Sequence, residues 1–130
     1  MSEFSKALSV SASGLQAQST RLRHLSENIS NADTPGYRRK TVSFDAAMIG
    51  AHGVSEVKTG RVRLDRTELE RIYDPSHPLS DQTGHYEGSN VNLLLELADA
   101  REAQRSYDAN LKMFEQARAM SSSLMQLLRR

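Results

Sequence analysis

The sequence predicts a mainly α protein, with two long terminal helices pairing as a coiled coil and a small β-rich insert between them. Three observations lead there. Apolar residues recur every seven positions near both ends of the chain. Proline and all but one of the glycines fall between those two stretches. The composition is also polar, with 25% charged, 38% hydrophobic and 5% aromatic residues and no Trp, and a mean hydropathy of -0.58. A chain of 130 residues has the length for one domain. One with so few large anchors buries its apolar stripes against other surfaces or leaves much of itself solvated.

The first element is a helix from Glu3 to about Ser30, a stretch with no Pro and with Gly14 as its one glycine. Leu8, Leu15, Leu22 and Ile29 recur every seven residues, with Phe4, Ala12 and Leu25 on the same side. That is the narrow stripe of a coiled-coil seam. Ser11 and Gln18 stand where a strong dimeric coil places Leu, so the isolated helix is only partly formed. Residues 1–33 are assigned to this N-terminal helical part.

Asn31-Ala32-Asp33-Thr34-Pro35-Gly36-Tyr37 ends the helix. Pro35 moves Thr34 out of the α region, and Pro35-Gly36 suits the centre of a type II turn with Gly supplying the positive φ. A basic run, Arg38-Arg39-Lys40, follows. Residues 34–88 form the loop and insert. Val54, Val57, Val62 and Leu64 are isolated apolar positions among charges, Arg61-Val62-Arg63-Leu64-Asp65 alternates as a half-exposed strand does, and Gly53 and Gly60 punctuate the region. Ile72-Tyr73 closes a second strand before Asp74-Pro75-Ser76-His77-Pro78 breaks it. The apolar content is too small for an independent core.

Residues 89–130 are helical again, with Ser89 or Asn90 as the N-cap and no later Pro or Gly. Leu93, Ala100, Tyr107, Phe114 and Leu128 share a seven-residue period, flanked by Leu97, Ala103, Leu111, Ala117 and Leu124. The small residues among them admit a neighbouring helix at close range.

Little here points to chemistry. A net charge of +1 lacks the basic excess of a nucleic-acid binder and gives no whole-chain attraction to an anionic membrane. The absence of cysteine excludes disulfides, thiol catalysis and thiolate metal sites. No apolar run approaches the roughly 18 residues of a membrane span. The start, Met1 to Leu8, lacks the apolar core of a cleaved signal, so the expectation is a cytosolic chain or one exported without such a signal. His24, His52, His77 and His85 fit no compact ligand spacing; His24 falls on the polar side of the first helix and is expected in solvent. Glu68-Leu69-Glu70 forms no acid/base pair, Ser occupies no nucleophile elbow, and the glycines form no phosphate loop. No catalytic residue, metal or cofactor is expected.

Two stretches resemble a known family. Ser11-Ala12-Ser13-Gly14-Leu15-Gln16-Ala17-Gln18 followed by Ser26-Glu27-Asn28-Ile29-Ser30-Asn31-Ala32-Asp33-Thr34-Pro35-Gly36-Tyr37 is similar to the N-terminal signature of flagellar rod and hook axial proteins. Ser89-Asn90-Val91-Asn92 through Glu96, then Ala103-Gln104-Arg105-Ser106-Tyr107-Asp108-Ala109-Asn110, resembles the C-terminal signature. Tyr73-Asp74-Pro75-Ser76-His77-Pro78 and Gly84-His85-Tyr86 resemble the short proximal rod proteins of that family, and Ser30 departs from its frequent Ala.

The resemblance implies a structural subunit of the basal-body rod, the drive shaft that transmits torque to hook and filament. It implies passage through the flagellar type III export apparatus without a cleaved signal, then assembly in the periplasmic space with copies of itself and other rod proteins. No nucleic acid and no direct membrane insertion are expected. The terminal helices would form an inner coiled-coil layer with the insert outside.

The expected assembly interface combines the stripe of Leu8, Leu15, Leu22, Leu25 and Ile29 with Tyr107, Leu111, Phe114 and Leu124. It adds the loop residues Asn28, Asn31, Thr34, Pro35, Gly36 and Tyr37, and Asn90, Asn92 and Asn110. Asn28 and Asn31 have two open readings: they satisfy local backbone groups where the helix ends, or they lock the loop against a neighbouring subunit. Tyr37 is either a half-buried turn residue or an anchor on an adjacent helix. Two other functions compete: a coiled-coil adaptor or export chaperone, which requires a stable helical dimer, and a small enzyme, which requires a pocket and a ligand.

Overall fold

In a computed structural model of the chain, residues 3–49 and 54–129 are described. Helix α1 spans Glu3–Ser30 and helix α2 spans Leu93–Leu128. Between them lie β1 (Lys40–Ile49), β2 (Val54–Leu64), β3 (Arg71–Tyr73) and β4 (His85–Glu87). The fold is mainly helical, with α1 and α2 packed against each other along their length. His52 and Gly53 lie outside the described residues.

At 1.5 Å per residue the 28 residues of α1 run about 42 Å and the 36 of α2 about 54 Å. The helices are antiparallel: Asn28 meets Glu96 at one end, and Gly14 faces Asn110 further along. The C-terminal turns of α2 therefore run on past the start of α1. The seam between the helices is built from small and polar residues. Ser11, Gly14, Ala17 and Asn28 are buried on α1 with Glu96, Ala103 and Ala117 on α2. The leucine stripe flanks that seam; Leu8, Leu15, Leu22 and Ile29 are half-buried. Ser11, read from sequence as a weak point, is buried at the contact itself. Small side chains bring two backbones close, and a close pair leaves no room for leucine at the centre.

α1 stops where the sequence stops it. Thr34 donates its amide to Asn31 O at 3.0 Å and Tyr37 donates to Thr34 O at 3.2 Å, with Gly36 at φ 76. α2 starts later than Ser89 or Asn90. Its N-cap is Asn92, whose side chain accepts from the Leu95 amide at 3.4 Å. Ser89 and Asn90 are turned instead toward the end of α1 and the insert: Ser89 Oγ donates to Ala32 O and Asn90 Oδ1 accepts from the Arg39 amide at 2.7 Å.

The insert holds two separate antiparallel hairpins, β1–β2 and β3–β4. Neither β1 nor β4 is singled out from sequence, although Val42, Phe44, Ala46 and Met48 alternate with Thr41, Ser43 and Asp45 in β1; β4 is only three residues long. The long hairpin changes register between Val42/Val62 and Phe44/Thr59. The extra residue falls at Gly60–Arg61, a bulge that increases twist. The hairpin lies along α1, where Val57 donates its amide to Ser13 Oγ at 3.1 Å and Ser9 donates to Glu56. Neither hairpin has a core of its own; each is held by what it lies on.

A Cβ added at Gly14 would sit 2.8 Å from Asn110 Nδ2. Gly14→Leu is therefore expected to force the helices apart and destabilise the fold by about 2 kcal/mol or more. Gly14→Leu with Asn110→Gly should recover part of that loss. Thermal unfolding followed by circular dichroism checks both.

Candidate assembly site

The geometry of the site starts with one side chain. Asn28, in the last turns of α1, is 0% exposed. Its Oδ1 accepts from the Lys40 amide at 2.9 Å and the Tyr37 hydroxyl at 2.8 Å. Its Nδ2 donates to Lys40 O at 2.9 Å and to Glu96 Oε2 at 3.2 Å. The carboxamide thus pairs with the peptide of Lys40 in both directions, as a neighbouring strand would, and spends every donor and acceptor it has.

Glu96 is 1% exposed. Its other oxygen accepts from Arg39 Nε. The same guanidinium reaches Asp65 at 3.7 Å and Asp99 at 3.6 Å. A buried carboxylate is tolerable only with such a partner. Asn90 completes the joint: besides accepting from the Arg39 amide, it donates to Asp65 O at 2.9 Å and to Thr67 O at 3.2 Å. Arg38 donates to the same two carbonyls. Lys40 Nζ pairs with Glu27 at 2.6 Å. That hydrogen bond holds the Glu27 carboxyl below its usual range and raises the ammonium of Lys40. Desolvation pushes the Tyr37 phenol up.

Asn31 works locally, donating to Glu27 O at 2.8 Å and accepting from Thr34 Oγ1 at 3.1 Å. Gly36 ties the turn to the second hairpin, its amide donating to Gly88 O at 3.0 Å. Among the remaining residues expected at the interface, Leu25 is buried, Pro35, Tyr107, Asn110 and Phe114 are half-buried, and Thr34, Asn92, Leu111 and Leu124 are exposed. The loop residues therefore converge, while Leu111 and Leu124 stand apart from them on the open side of α2.

His24 is corrected. It is 7% exposed, covered by the start of the long hairpin, and lines a small cavity with Arg21, Leu25, Arg39 and Asp99. The insert covers a face that periodicity alone assigned to solvent. Its ring nitrogens meet no hydrogen-bond partner among the described residues. His77 stacks on Tyr86 at 3.9 Å between ring centroids and accepts from the Leu79 amide at 3.1 Å. Among the described residues no three His, Asp or Glu side chains gather as a metal-ligand set.

The sequence matches two family profiles: flagella basal body rod protein over residues 8–38, and the C-terminal region of flagellar basal body rod FlgEFG proteins over residues 82–127. It is 46% identical over 136 aligned residues to the flagellar basal-body rod protein FlgC of Agrobacterium fabrum, covering 99% of this chain and 98% of that protein. The chain belongs to the flagellar basal-body rod protein family. FlgC of Salmonella typhimurium is 30% identical over 85% of this chain and 87% of its own length. FlgC of Bacillus subtilis is 30% identical over 88% and 91%.

The two segments that identify this rod-family chain are the ones whose side chains meet in the joint. Asn28 and Tyr37 lie in the first, and Ser89, Asn90 and Glu96 in the second. Arg39 and Lys40 sit just beyond the first segment, and no motif singled them out within their basic run. The signal that could have found Glu96 is a carboxylate on the face that carries Ala103.

Asn28→Asp keeps the shape but makes the group acceptor-only, facing Lys40 O and Glu96. It is expected to cost about 3 kcal/mol, read from urea unfolding. In the loop before β4, the Thr83 hydroxyl and then the His85 amide hold the Asp81 carboxyl down to about 2. A depressed carboxyl stabilises the folded loop above its unfolded value and loses that contribution as pH falls through its folded one. The amide resonances of Thr83 and His85 should therefore shift with a midpoint near pH 2.

Proposed function

We propose that this chain is a structural subunit of the flagellar basal-body rod and works by packing its paired terminal helices against those of neighbouring subunits. The family membership carries this reading, and the distribution of burial supports it. Within the chain, small residues and the polar joint consume the inner faces of the helices. Large apolar side chains remain outside, among them Leu97, Leu111 and Leu124 on α2. At roughly 25 cal/mol per Å² of apolar area, covering these faces on assembly supplies a driving force that the folded monomer does not use. Repetition of such contacts gives a stiff shaft in which many packed side chains share the load.

The proposed interface is the flanking stripe Leu8, Leu15, Leu22 and Ile29 together with Tyr107, Leu111, Phe114 and Leu124. Asn28, Asn31 and Tyr37 act one step back, fixing the angle at which the insert leaves the helices. The helical termini, residues 1–33 and 89–130, would form the inner layer and residues 34–88 the outer one. The chain would leave the cytoplasm through the flagellar type III export apparatus without a cleaved signal, and reach the periplasmic rod without inserting in a membrane. Among the described residues no helix is long and apolar enough to cross one. Partners would be copies of itself and other rod proteins. No enzymatic activity, nucleic acid or cofactor is assigned.

The deciding experiment is mass spectrometry of detergent-extracted hook–basal bodies from the source organism. The chain should appear in fixed ratio to the other rod subunits. Its absence while they are abundant would return the chaperone reading. Leu124→Asp should leave the stability of the purified chain within about 0.5 kcal/mol, as for an exposed site, yet abolish swimming in soft agar.

A further inference from the structure

The long hairpin carries charge that the joint does not use. Where β2 ends, Arg38, Arg61, Arg63 and Arg66 line one shallow concavity with Val62 and Leu64, and no carboxylate lines it. Arg38 is spoken for by the Asp65 and Thr67 carbonyls. Among the described residues Arg61, Arg63 and Arg66 enter no ion pair, the guanidinium partners being confined to Arg21, Arg39 and Arg71. Val62 and Leu64 are 46% and 54% exposed between them. Four like charges held together by the fold repel one another unless something of opposite sign covers them.

The chain as a whole has a net charge of only +1, so the local excess is balanced elsewhere on the same molecule. A second concavity, beside the start of α2, is lined by Glu68 and Glu70 with Asn92 and Leu93. Both carboxylates are exposed, and neither enters an ion pair among the described residues.

We propose that the arginine concavity of one copy docks on the Glu68-Leu69-Glu70 segment of a second copy. The claim rests on the rod reading and names one contact within it. The spacing matches. Arg61 and Arg63, two residues apart, line one concavity, and Glu68 and Glu70, also two residues apart, line the other. Apolar residues are exposed in both concavities, Val62 and Leu64 beside the arginines and Leu93 beside the glutamates. Nucleic acid supplies the charge but no apolar group to cover Val62 and Leu64, and a lipid surface leaves the exposed Glu68 and Glu70 without a counterpart. Because the two patches differ, the contact is heterologous and propagates around or along an assembly rather than closing a dimer. Exposed ion pairs of this kind set register and association rate more than affinity and weaken with salt.

The chain has no cysteine, which makes a direct test clean. Arg63→Cys and Glu70→Cys are introduced together, basal bodies are purified, and mild oxidation is followed by non-reducing electrophoresis. Multiples of 14.5 kDa in the double variant and in neither single variant are expected. A chain present in basal bodies but found only as monomer, or linked to a different subunit, overturns the contact while leaving the rod reading intact. A chain missing from basal bodies that contain the wild type overturns the rod reading with it.

Charge reversal is the second arm. Arg63→Glu should reduce swimming by about twofold or more, and Arg63→Glu with Glu70→Arg should restore it. No restoration sinks the proposal. So does binding of the purified chain to phosphatidylglycerol vesicles or duplex DNA at physiological salt that Arg63→Glu abolishes and Glu70→Arg leaves unchanged.

Discussion

A carboxamide sealed from water has to find partners for four hydrogen-bonding positions, and Asn28 finds them on three different parts of the chain. It fixes the first peptide of β1, the ring of Tyr37 and the carboxylate of Glu96 on α2. Each of those contacts sets a direction. The pairing with Lys40 starts the long hairpin back along α1. The hydroxyl of Tyr37 closes the turn. The bond to Glu96 sets the axial register of α2, which in turn places Gly14 against Asn110. A joint in which every polar group is satisfied is intolerant of rotation, and it is where the outer part of the subunit meets the inner.

Glu96 and Arg39 follow the same logic in the charged case. A buried carboxylate alone would be untenable, so the guanidinium that reaches it must come with its own supports. Asp65 and Asp99 supply them on one side and the Asn90 carboxamide holds the Arg39 backbone on the other. The result couples the segment after β2 to the start of α2 without a hydrophobic core between them. That suits an insert whose apolar residues are too few to build one.

The seam explains why a polar chain can still polymerise. Small residues at the intrachain contact allow the two helices to lie close, at modest apolar cost to each. The leucines that flank them are left for other surfaces. Leu at the positions of Ser11 and Gly14 would overpack the seam and hold the helices apart. Exposed charge then distinguishes one approach from another, since like-charged patches facing each other are penalised more than matched ones are rewarded.

By itself the sequence determined the two long helices, the turn at Thr34–Tyr37 with Gly36 at positive φ, the weakness of the insert and the family. These follow from local chemistry: seven-residue periodicity, the placement of Pro and Gly, and signature segments that are contiguous in the chain. What the tertiary structure decided is everything that depends on contact between distant residues. It made Ser11 and Gly14 the seam and moved the leucine stripe to its flanks, because the closest approach of two helices selects for small volume. It put the N-cap at Asn92, because Ser89 and Asn90 were engaged by the end of α1 and the insert. It buried His24 under the start of the long hairpin, a contact that the periodicity of α1 alone cannot report. And it joined Asn28, Arg39 and Glu96, which are up to 68 residues apart, a separation across which no period or spacing carries information.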